Sequence, residues 1–72
     1  MAKFRVEEIG DSIRFFRKLA KLTQVELAKM SGISQNAISC WENGVHIPNV
    51  WDLWKIADIL EISIDELIGR DP

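Results

Sequence analysis

Scarce residue types exclude several classes of protein for this chain of 72 residues. With a single cysteine, Cys40, the chain forms no internal disulfide, so a domain of this size depends on packing or on a partner. A lone cysteine also makes a reducing cytoplasm the simplest compartment. Because Cys40 and the single histidine, His46, give no plausible set of metal ligands, we expect no metal and no cofactor.

Long apolar runs and catalytic groupings are missing as well. No apolar stretch approaches the roughly 20 residues of a membrane span, and the N-terminus lacks the apolar core of a signal peptide. The sequence has no glycine-rich phosphate loop and no plausible Ser/His/Asp grouping, so we expect that the chain is not an enzyme. Its length leaves no room for a ligand-sensing domain, and we expect no small-molecule ligand.

Charge is present but unevenly distributed along the chain. The formal net charge is −2, which argues mildly against a nucleic-acid binder. Residues 1–33, however, carry seven Lys and Arg against four Asp and Glu, whereas residues 34–72 carry two against seven. Such a polarised molecule can attract phosphates locally although its total charge is negative.

Apolar residues make up 47% of the chain and recur at helical spacing almost throughout. No linker-like stretch divides the sequence, so we expect one all-α domain over residues 1–72. Two capping boxes of the form Ser/Thr-x-x-Glu open helices, and Gly32 and Gly44 are suited to end them. The predicted helices run from Val6 or Asp11 to Ala20, from Thr23 to Ser31, from Ser34 to Asn43, from Pro48 to Leu60, and from Ser63 to Gly69.

Periodicity also predicts which side chains are buried. The inward positions of the first and fourth helices are Ile9, Ile13, Phe16 and Ala20, and Val50, Leu53, Ala57 and Leu60. Trp41 is expected in the core and Trp54 half-buried beside the stripe of the fourth helix. Trp51 shares a face with Lys55 and Asp58 and should be exposed. An exposed indole more often belongs to a contact surface than to a surface without a function.

The most informative stretch is residues 23–43, which reads as a helix, a turn built on Gly32 and a second helix. This is the geometry of a helix-turn-helix, which presents its second helix to the major groove of DNA. The outer face of that second helix carries no charge and consists of Gln35, Asn36, Ser39, Cys40 and Asn43. Amides and hydroxyls can bond to base edges. The alternative is that these are ordinary polar residues near a helix cap.

A set of spaced motifs extends this interpretation over more than four-fifths of the chain. The motifs are Ile9-Gly10, Ile13-Arg14, Arg17, Leu22-Thr23-Gln24, Glu26-Leu27-Ala28, Gly32-Ile33-Ser34, Ile38-Ser39, Trp41-Glu42-Asn43-Gly44, Pro48, Leu53, Ile56-Ala57, Leu60 and Ser63-Ile64-Asp65-Glu66-Leu67. With them, the chain resembles the phage repressor/Cro and xenobiotic-response-element (XRE) type of helix-turn-helix transcriptional regulator. The resemblance implies a compact five-helix, lambda-repressor-like domain that binds double-stranded operator DNA.

The resemblance also implies roles for individual residues. The expected base contacts are Gln35, Asn36, Ser39 and Cys40, and the expected contacts with the DNA backbone are Gln24, Ser34, Asn43, Gly44 and Val45. His46 is either a further phosphate contact or a loop residue without a role. The family pattern places Arg17 against Glu42, which predicts a partly buried ion pair that locks the third helix to the scaffold.

Three departures from the family pattern bear on these expectations. Ser12 replaces a frequent arginine, which leaves one fewer possible phosphate contact. Lys21 stands where many relatives have glycine, so that turn is expected to differ. Val45, His46 and Ile47 follow Gly44 where basic residues are frequent, which weakens the case for strong phosphate binding. We therefore keep a rival hypothesis, a protein–protein interaction module with the same fold. For the DNA-binding function we expect a homodimer through Trp51, Ile62, Ile64 and Ile68.

Overall fold

The computed structural model describes residues 6–69, with side chains from Glu8 onward. Within that range the chain forms five α-helices and no β-strand, as expected. The helices are α1 (Val6–Leu19), α2 (Gln24–Ser31), α3 (Gln35–Glu42), α4 (Val50–Leu60) and α5 (Ile64–Leu67). None of these helices is long and apolar enough to cross a membrane.

Side-chain caps begin four of the helices where the sequence places them. Thr23 and Ser63 accept a hydrogen bond from the amide three residues on, and the glutamate there bonds back, so both capping boxes are present. Ser34 and Asn49 cap α3 and α4 in the same way through one side-chain oxygen each. These bonds satisfy amides that have no partner inside the helix. Of the two starts predicted for the first helix, Val6 is confirmed and Asp11 is wrong, and the other predicted boundaries are confirmed to within one or two residues.

Within residues 6–69, two residues other than glycine adopt a left-handed backbone. Lys21 has φ 60° and Glu61 has φ 57°, at the turns that follow α1 and α4. The expectation that the turn at Lys21 differs from a glycine turn is therefore wrong. Its backbone is held by a bond from the Lys21 amide to the Lys18 carbonyl at 2.9 Å. A left-handed residue with a side chain costs about 1 kcal/mol, which the surrounding contacts offset here.

Every helix contributes to a single apolar core. Its buried members are Ile9, Ile13, Leu27, Ile38, Trp41, Leu53, Ile56, Ala57, Leu60 and Leu67. The helices α1 and α3 approach each other closely at Gly10. A Cβ on Gly10 would overlap the backbone carbonyl oxygen of Trp41, so only glycine lets the two helices pack at this distance. The position of α3 is thereby defined by backbone contact as well as by side chains.

Three burial predictions are corrected by the structure. Val50 was expected to face inward but is 65% exposed, because as the first residue of α4 it lies beyond the last core side chain of the stripe. Trp54 was expected to be half-buried and is 58% exposed. Ala20, predicted on the inner face of the first helix, follows the end of α1 and is exposed. The core stripe of α4 instead includes Ile56, which is fully buried.

Candidate nucleic-acid interface

The two faces of α3 differ in burial and in chemistry. Ile38 and Trp41 are buried against the rest of the molecule, which fixes the orientation of the helix. On the opposite face, Gln35 and Asn36 are exposed in the first turn. Ser39 and Cys40, also expected on this face, are partly exposed. Since none of these four side chains is charged, this face is neutral and rich in hydrogen-bonding groups.

A buried ion pair joins α3 to α1. The structure brings Arg17 and Glu42 together in a two-pronged contact, with Nε donating to Oε2 at 2.7 Å and Nη2 donating to Oε1 at 3.0 Å. The third guanidinium nitrogen, Nη1, donates to the Leu22 carbonyl at 2.8 Å. Arg17 is 8% exposed and Glu42 is 3% exposed. Three segments (α1, the turn before α2, and α3) therefore meet at one guanidinium.

Burial and charge oppose each other at the Glu42 carboxyl. Burial disfavours its ionised form, but hydrogen bonds from Arg17 and Gln24, together with the charges of Arg17 and Arg14, outweigh burial and lower its pKa. The hydrogen bond with Glu42 likewise raises the pKa of Arg17 above its ordinary value, against the effect of burial. Both groups are thus charged at neutral pH, and each compensates the other.

Gln24, which the family pattern assigns to DNA backbone, has a contact inside the protein. Its Nε2 donates to Glu42 Oε1 at 3.0 Å, so the start of α2 is tied to the end of α3 through the same carboxylate. The backbone at this helix start remains suited to an anion. The Thr23 cap takes only the Glu26 amide, and the amides of Gln24 and Val25 have no acceptor within α2.

The remaining residues expected at the DNA backbone lie at the two ends of α3. Ser34 caps its start, where its Oγ accepts from the Ala37 amide at 3.1 Å. At its other end Asn43 is the C-cap, Gly44 turns the chain with φ 75°, and Val45 and His46 follow, both exposed. The outer face of α3 is therefore flanked at each end by exposed hydrogen-bonding backbone or side-chain groups.

Arg14 is a residue of this region to which the sequence analysis gave no role. Its Nη2 donates to the Glu42 carbonyl at 2.8 Å and to Asn43 Oδ1 at 3.4 Å, while its Nε lies 3.5 Å from Glu42 Oε1. Arg14 thus satisfies a free carbonyl at the end of α3 and complements the negative end of the helix. One signal was available: Arg14 precedes Arg17 by three residues, which places both on one face of α1.

Of the four residues expected at a dimer interface, only Trp51 and Ile64 line a common groove. Trp51 is 66% exposed, and it lines a shallow groove with Val50, Trp54 and Ile64. The two indoles of this groove lie 5.8 Å apart between ring centroids. The other two expected residues, Ile62 and Ile68, pack as partly buried side chains against the core and do not line the groove.

Comparison with known proteins identifies this arrangement of α2, turn and α3. Residues 13–67 match the HTH_3 helix-turn-helix family. The chain belongs to this family. The assignment that the spaced motifs suggested, to the XRE type of helix-turn-helix protein, is therefore confirmed.

Two repressors are among the similar sequences. The transcriptional repressor RstR of cryptic phage CTXphi from Vibrio cholerae is 48% identical over 54 residues, which are 75% of this chain and 48% of RstR. Repressor protein C2 of Salmonella phage P22 is 40% identical over 63 residues, which are 88% of this chain and 29% of C2. The chain thus spans less than half the length of either relative.

Solved structures share the five-helix fold. The P22 c2 repressor in complex with a synthetic operator superimposes with a TM-score of 0.80 at 40% identity, over 88% of this chain and 96% of that chain. The restriction-modification controller protein C.AhdI from Aeromonas hydrophila gives a TM-score of 0.82 at 27% identity, over 86% of this chain and 94% of that chain. The predicted lambda-repressor-like fold class is confirmed.

Proposed function

We propose that this chain is a sequence-specific DNA-binding domain of a transcriptional regulator, acting as a repressor in the cytoplasm, with α3 reading the major groove. The observation that carries the proposal is the neutral, hydrogen-bonding outer face of α3, a helix whose opposite face is packed against the core. The buried pair of Arg17 and Glu42 and the close packing at Gly10 fix that helix. The repressors RstR and C2, and the operator complex of the latter, support the same function.

The base-reading set consists of the four residues of the outer face. Gln35 and Asn36 are exposed in the first turn of α3, and their amides can pair with the N6 and N7 groups of adenine. Ser39 can bond to several base edges. Cys40, a small and partly exposed thiol, suits contact with a thymine methyl group.

The backbone-holding set consists of Gln24, Ser34, Asn43, Gly44, Val45 and His46. Most of these groups are neutral amides or hydroxyls, which position the protein on phosphates without releasing many counterions. The Ser34 hydroxyl keeps its hydrogen for a phosphate, because its oxygen serves the Ala37 amide. We therefore expect affinity for DNA to fall only gently as salt is raised.

A homodimer completes the proposal. The apolar groove of Val50, Trp51, Trp54 and Ile64 leaves two indoles more than half exposed, and a second copy of the chain would cover them. Two-fold pairing would space two α3 helices for half-sites about one turn of DNA apart. Ile62 and Ile68 would then contribute only at the edge of the interface.

The rival function is a protein-interaction module with the same fold. It is favoured by the acidic second half of the chain, since residues 34–72 contain two basic and seven acidic residues. It is also favoured by the absence of a basic residue directly after Gly44. The two functions differ in their dependence on salt. For DNA, the logarithm of the binding constant falls linearly with the logarithm of salt concentration, and the slope grows with the number of phosphates neutralised. The slope expected here is small, but an apolar protein interface should show almost none.

The deciding experiment is selection of bound sequences from a random pool of double-stranded DNA, followed by a binding matrix. Wild type, Gln35→Ala, Asn36→Ala and Gln24→Ala are titrated against the selected site and its single-base variants. The first two substitutions should each cost about 1–3 kcal/mol and relax preference at one base pair. Gln24→Ala should weaken every sequence equally. Unchanged base preferences in both α3 variants, with the fold intact, would favour the rival function.

A further inference from the structure

A line of three hydrogen-bonded side chains runs from α1 to the outer face of α3. Arg14 Nη2 donates to Asn43 Oδ1 at 3.4 Å, and Asn43 Nδ2 donates to Ser39 Oγ at 3.3 Å. The first member is itself anchored, because the same Arg14 nitrogen donates to the Glu42 carbonyl at 2.8 Å. The line therefore begins at a fixed guanidinium and ends at a residue of the proposed base-reading set.

The direction of each bond in this line follows from the chemistry of its first member. A guanidinium has donors and no acceptor, so the Asn43 atom that faces Arg14 must be the carbonyl oxygen. The amide of Asn43 is thereby oriented, and its NH₂ group is the part that faces Ser39. Ser39 Oγ must then accept. The hydroxyl hydrogen of Ser39 then points away from Asn43. Within residues 6–69, the bond from Asn43 is the one hydrogen bond of the Ser39 side chain.

We propose that Arg14, acting through Asn43, sets Ser39 as a hydrogen-bond donor toward DNA and so makes the protein discriminate against cytosine at one base pair. This inference rests on the proposed function, in which Ser39 contacts a base. Neither Arg14 nor Asn43 needs to touch that base. Both are positioning residues for specificity, and the second hydrogen of Asn43 Nδ2 stays available for a phosphate.

The discrimination follows from the major-groove edges. Guanine, adenine and thymine each present at least one acceptor there, at N7, O6 or O4, whereas cytosine presents only the N4 donor. A serine held as a donor meets a partner on three bases and faces another donor on cytosine. A serine held as an acceptor would have the opposite preference, for the amino groups of cytosine and adenine.

The substitution Asn43→Asp tests the inference because it reverses the hydrogen bond between residue 43 and Ser39 and keeps the bond donated by Arg14. Aspartate has nearly the same size and keeps an oxygen for Arg14, but it has no donor for Ser39. The Ser39 hydroxyl then donates to the carboxylate and turns its lone pairs toward DNA. At one base pair, cytosine should change from the least favoured base to a favoured one, by about two- to tenfold in relative affinity.

The control variants separate this effect from simple charge repulsion. Asn43→Asp adds a negative charge near phosphates, which should weaken all sequences by a common factor. Ser39→Ala should abolish the preference at the same base pair. In the double variant Ser39→Ala/Asn43→Asp only the common factor should remain. Arg14→Met frees the Asn43 amide to rotate and should move the preference at that base pair toward that of Ser39→Ala, while circular dichroism reports that the fold is intact.

Two outcomes would overturn the inference. If Asn43→Asp weakens all bases equally while Ser39→Ala does change the preference at one pair, Ser39 reads DNA but is not oriented by this line. If Ser39→Ala changes the base preference at no base pair, Ser39 does not read DNA and its orientation by Arg14 and Asn43 has no effect on specificity. The proposed function fails separately, through Gln35→Ala and Asn36→Ala, so an intact response of those variants shows that α3 still reads bases.

Discussion

Replacing Arg17 by methionine should be among the most damaging single changes to the stability of this protein. The carboxylate of Glu42, which is 3% exposed in the wild type, would lose two hydrogen bonds, at 2.7 and 3.0 Å. Breaking a buried pair from one side costs about 3–5 kcal/mol. Gln24 and Arg14 still approach the carboxylate, at 3.0 and 3.5 Å, and lessen the loss. We therefore expect Arg17→Met to lower the free energy of unfolding by about 2–4 kcal/mol.

The double variant Arg17→Met/Glu42→Leu should be more stable than Arg17→Met alone. With both charges removed, no buried ion is left unpaired. The remaining cost is the lost partner of the Leu22 carbonyl and of the Gln24 amide, and the lost approach of Arg14 to the carboxylate. We expect the double variant to recover at least about 1 kcal/mol. For a domain of this size that difference corresponds to roughly 4–8 °C in Tm.

Urea denaturation followed by circular dichroism at 222 nm measures this difference. Arg17→Lys serves as the matched control, because it keeps the charge but loses the two-pronged geometry, and it should fall between wild type and Arg17→Met. A double variant that is no more stable than Arg17→Met would refute the reasoning, since an unpaired buried carboxylate would then not be the source of the loss.

The same pair predicts a dependence on pH. The pKa of Glu42 is lower in the folded protein than in the unfolded chain, where a glutamate has a pKa of about 4.3. Its contribution to stability is therefore fully present above that value and is lost as pH falls through the lower folded pKa. In Arg17→Met burial dominates and favours protonation, so the gap between wild type and Arg17→Met should narrow in acid. A constant gap from neutral pH to pH 3 would contradict this.

Three further substitutions test other features. Lys21→Gly relieves a left-handed backbone and should stabilise the protein by about 0.5 kcal/mol in thermal melts. The control Lys29→Gly, within α2, should destabilise the protein by about 0.5–1 kcal/mol. Equal effects of the two substitutions would contradict the assignment of backbone strain to Lys21. Gly10→Ala forces a Cβ against the α3 backbone and should lower the free energy of unfolding by more than about 2 kcal/mol in the same assay. An unchanged stability would show that α1 and α3 can move apart without loss. Trp51→Ala should weaken self-association in sedimentation equilibrium, while Leu19→Ala, which alters an equally exposed side chain on α1, should not. Wild type that remains monomeric even on DNA would rule out the dimer.

The local features of the fold were predictable because they depend on neighbours in the sequence. Capping boxes and glycine stops act within four residues, so the start of α2 at Thr23 and its end at Gly32 could be read directly. The faces of α3 followed from helical periodicity. The exposure of Val50 and Trp54 could not be read in this way, because periodicity assigns a face but not where the neighbouring helices end.

The network around Glu42 shows the same limit at the candidate site. The family pattern paired Glu42 with Arg17, but Arg14 and Gln24 converge on it only because α1 and α2 cross the end of α3. That crossing depends on tertiary packing over a separation of 28 residues for Arg14 and 18 for Gln24. The left-handed backbone of Lys21 was not predicted either, because a residue with a side chain rarely adopts it and the bond at this turn joins backbone atoms only, from the Lys21 amide to the Lys18 carbonyl.

The placement of the three tryptophans gives the molecule two optical signals. Trp41 is 6% exposed in the core, whereas Trp51 and Trp54 are 66% and 58% exposed on α4. An indole in an apolar interior emits at shorter wavelength than one in water, so the blue part of the emission reports whether the core is intact. The red part, which an aqueous quencher such as iodide can reach, reports whether the α4 groove is covered. Unfolding and association of the same unlabelled sample can thus be followed in one spectrum.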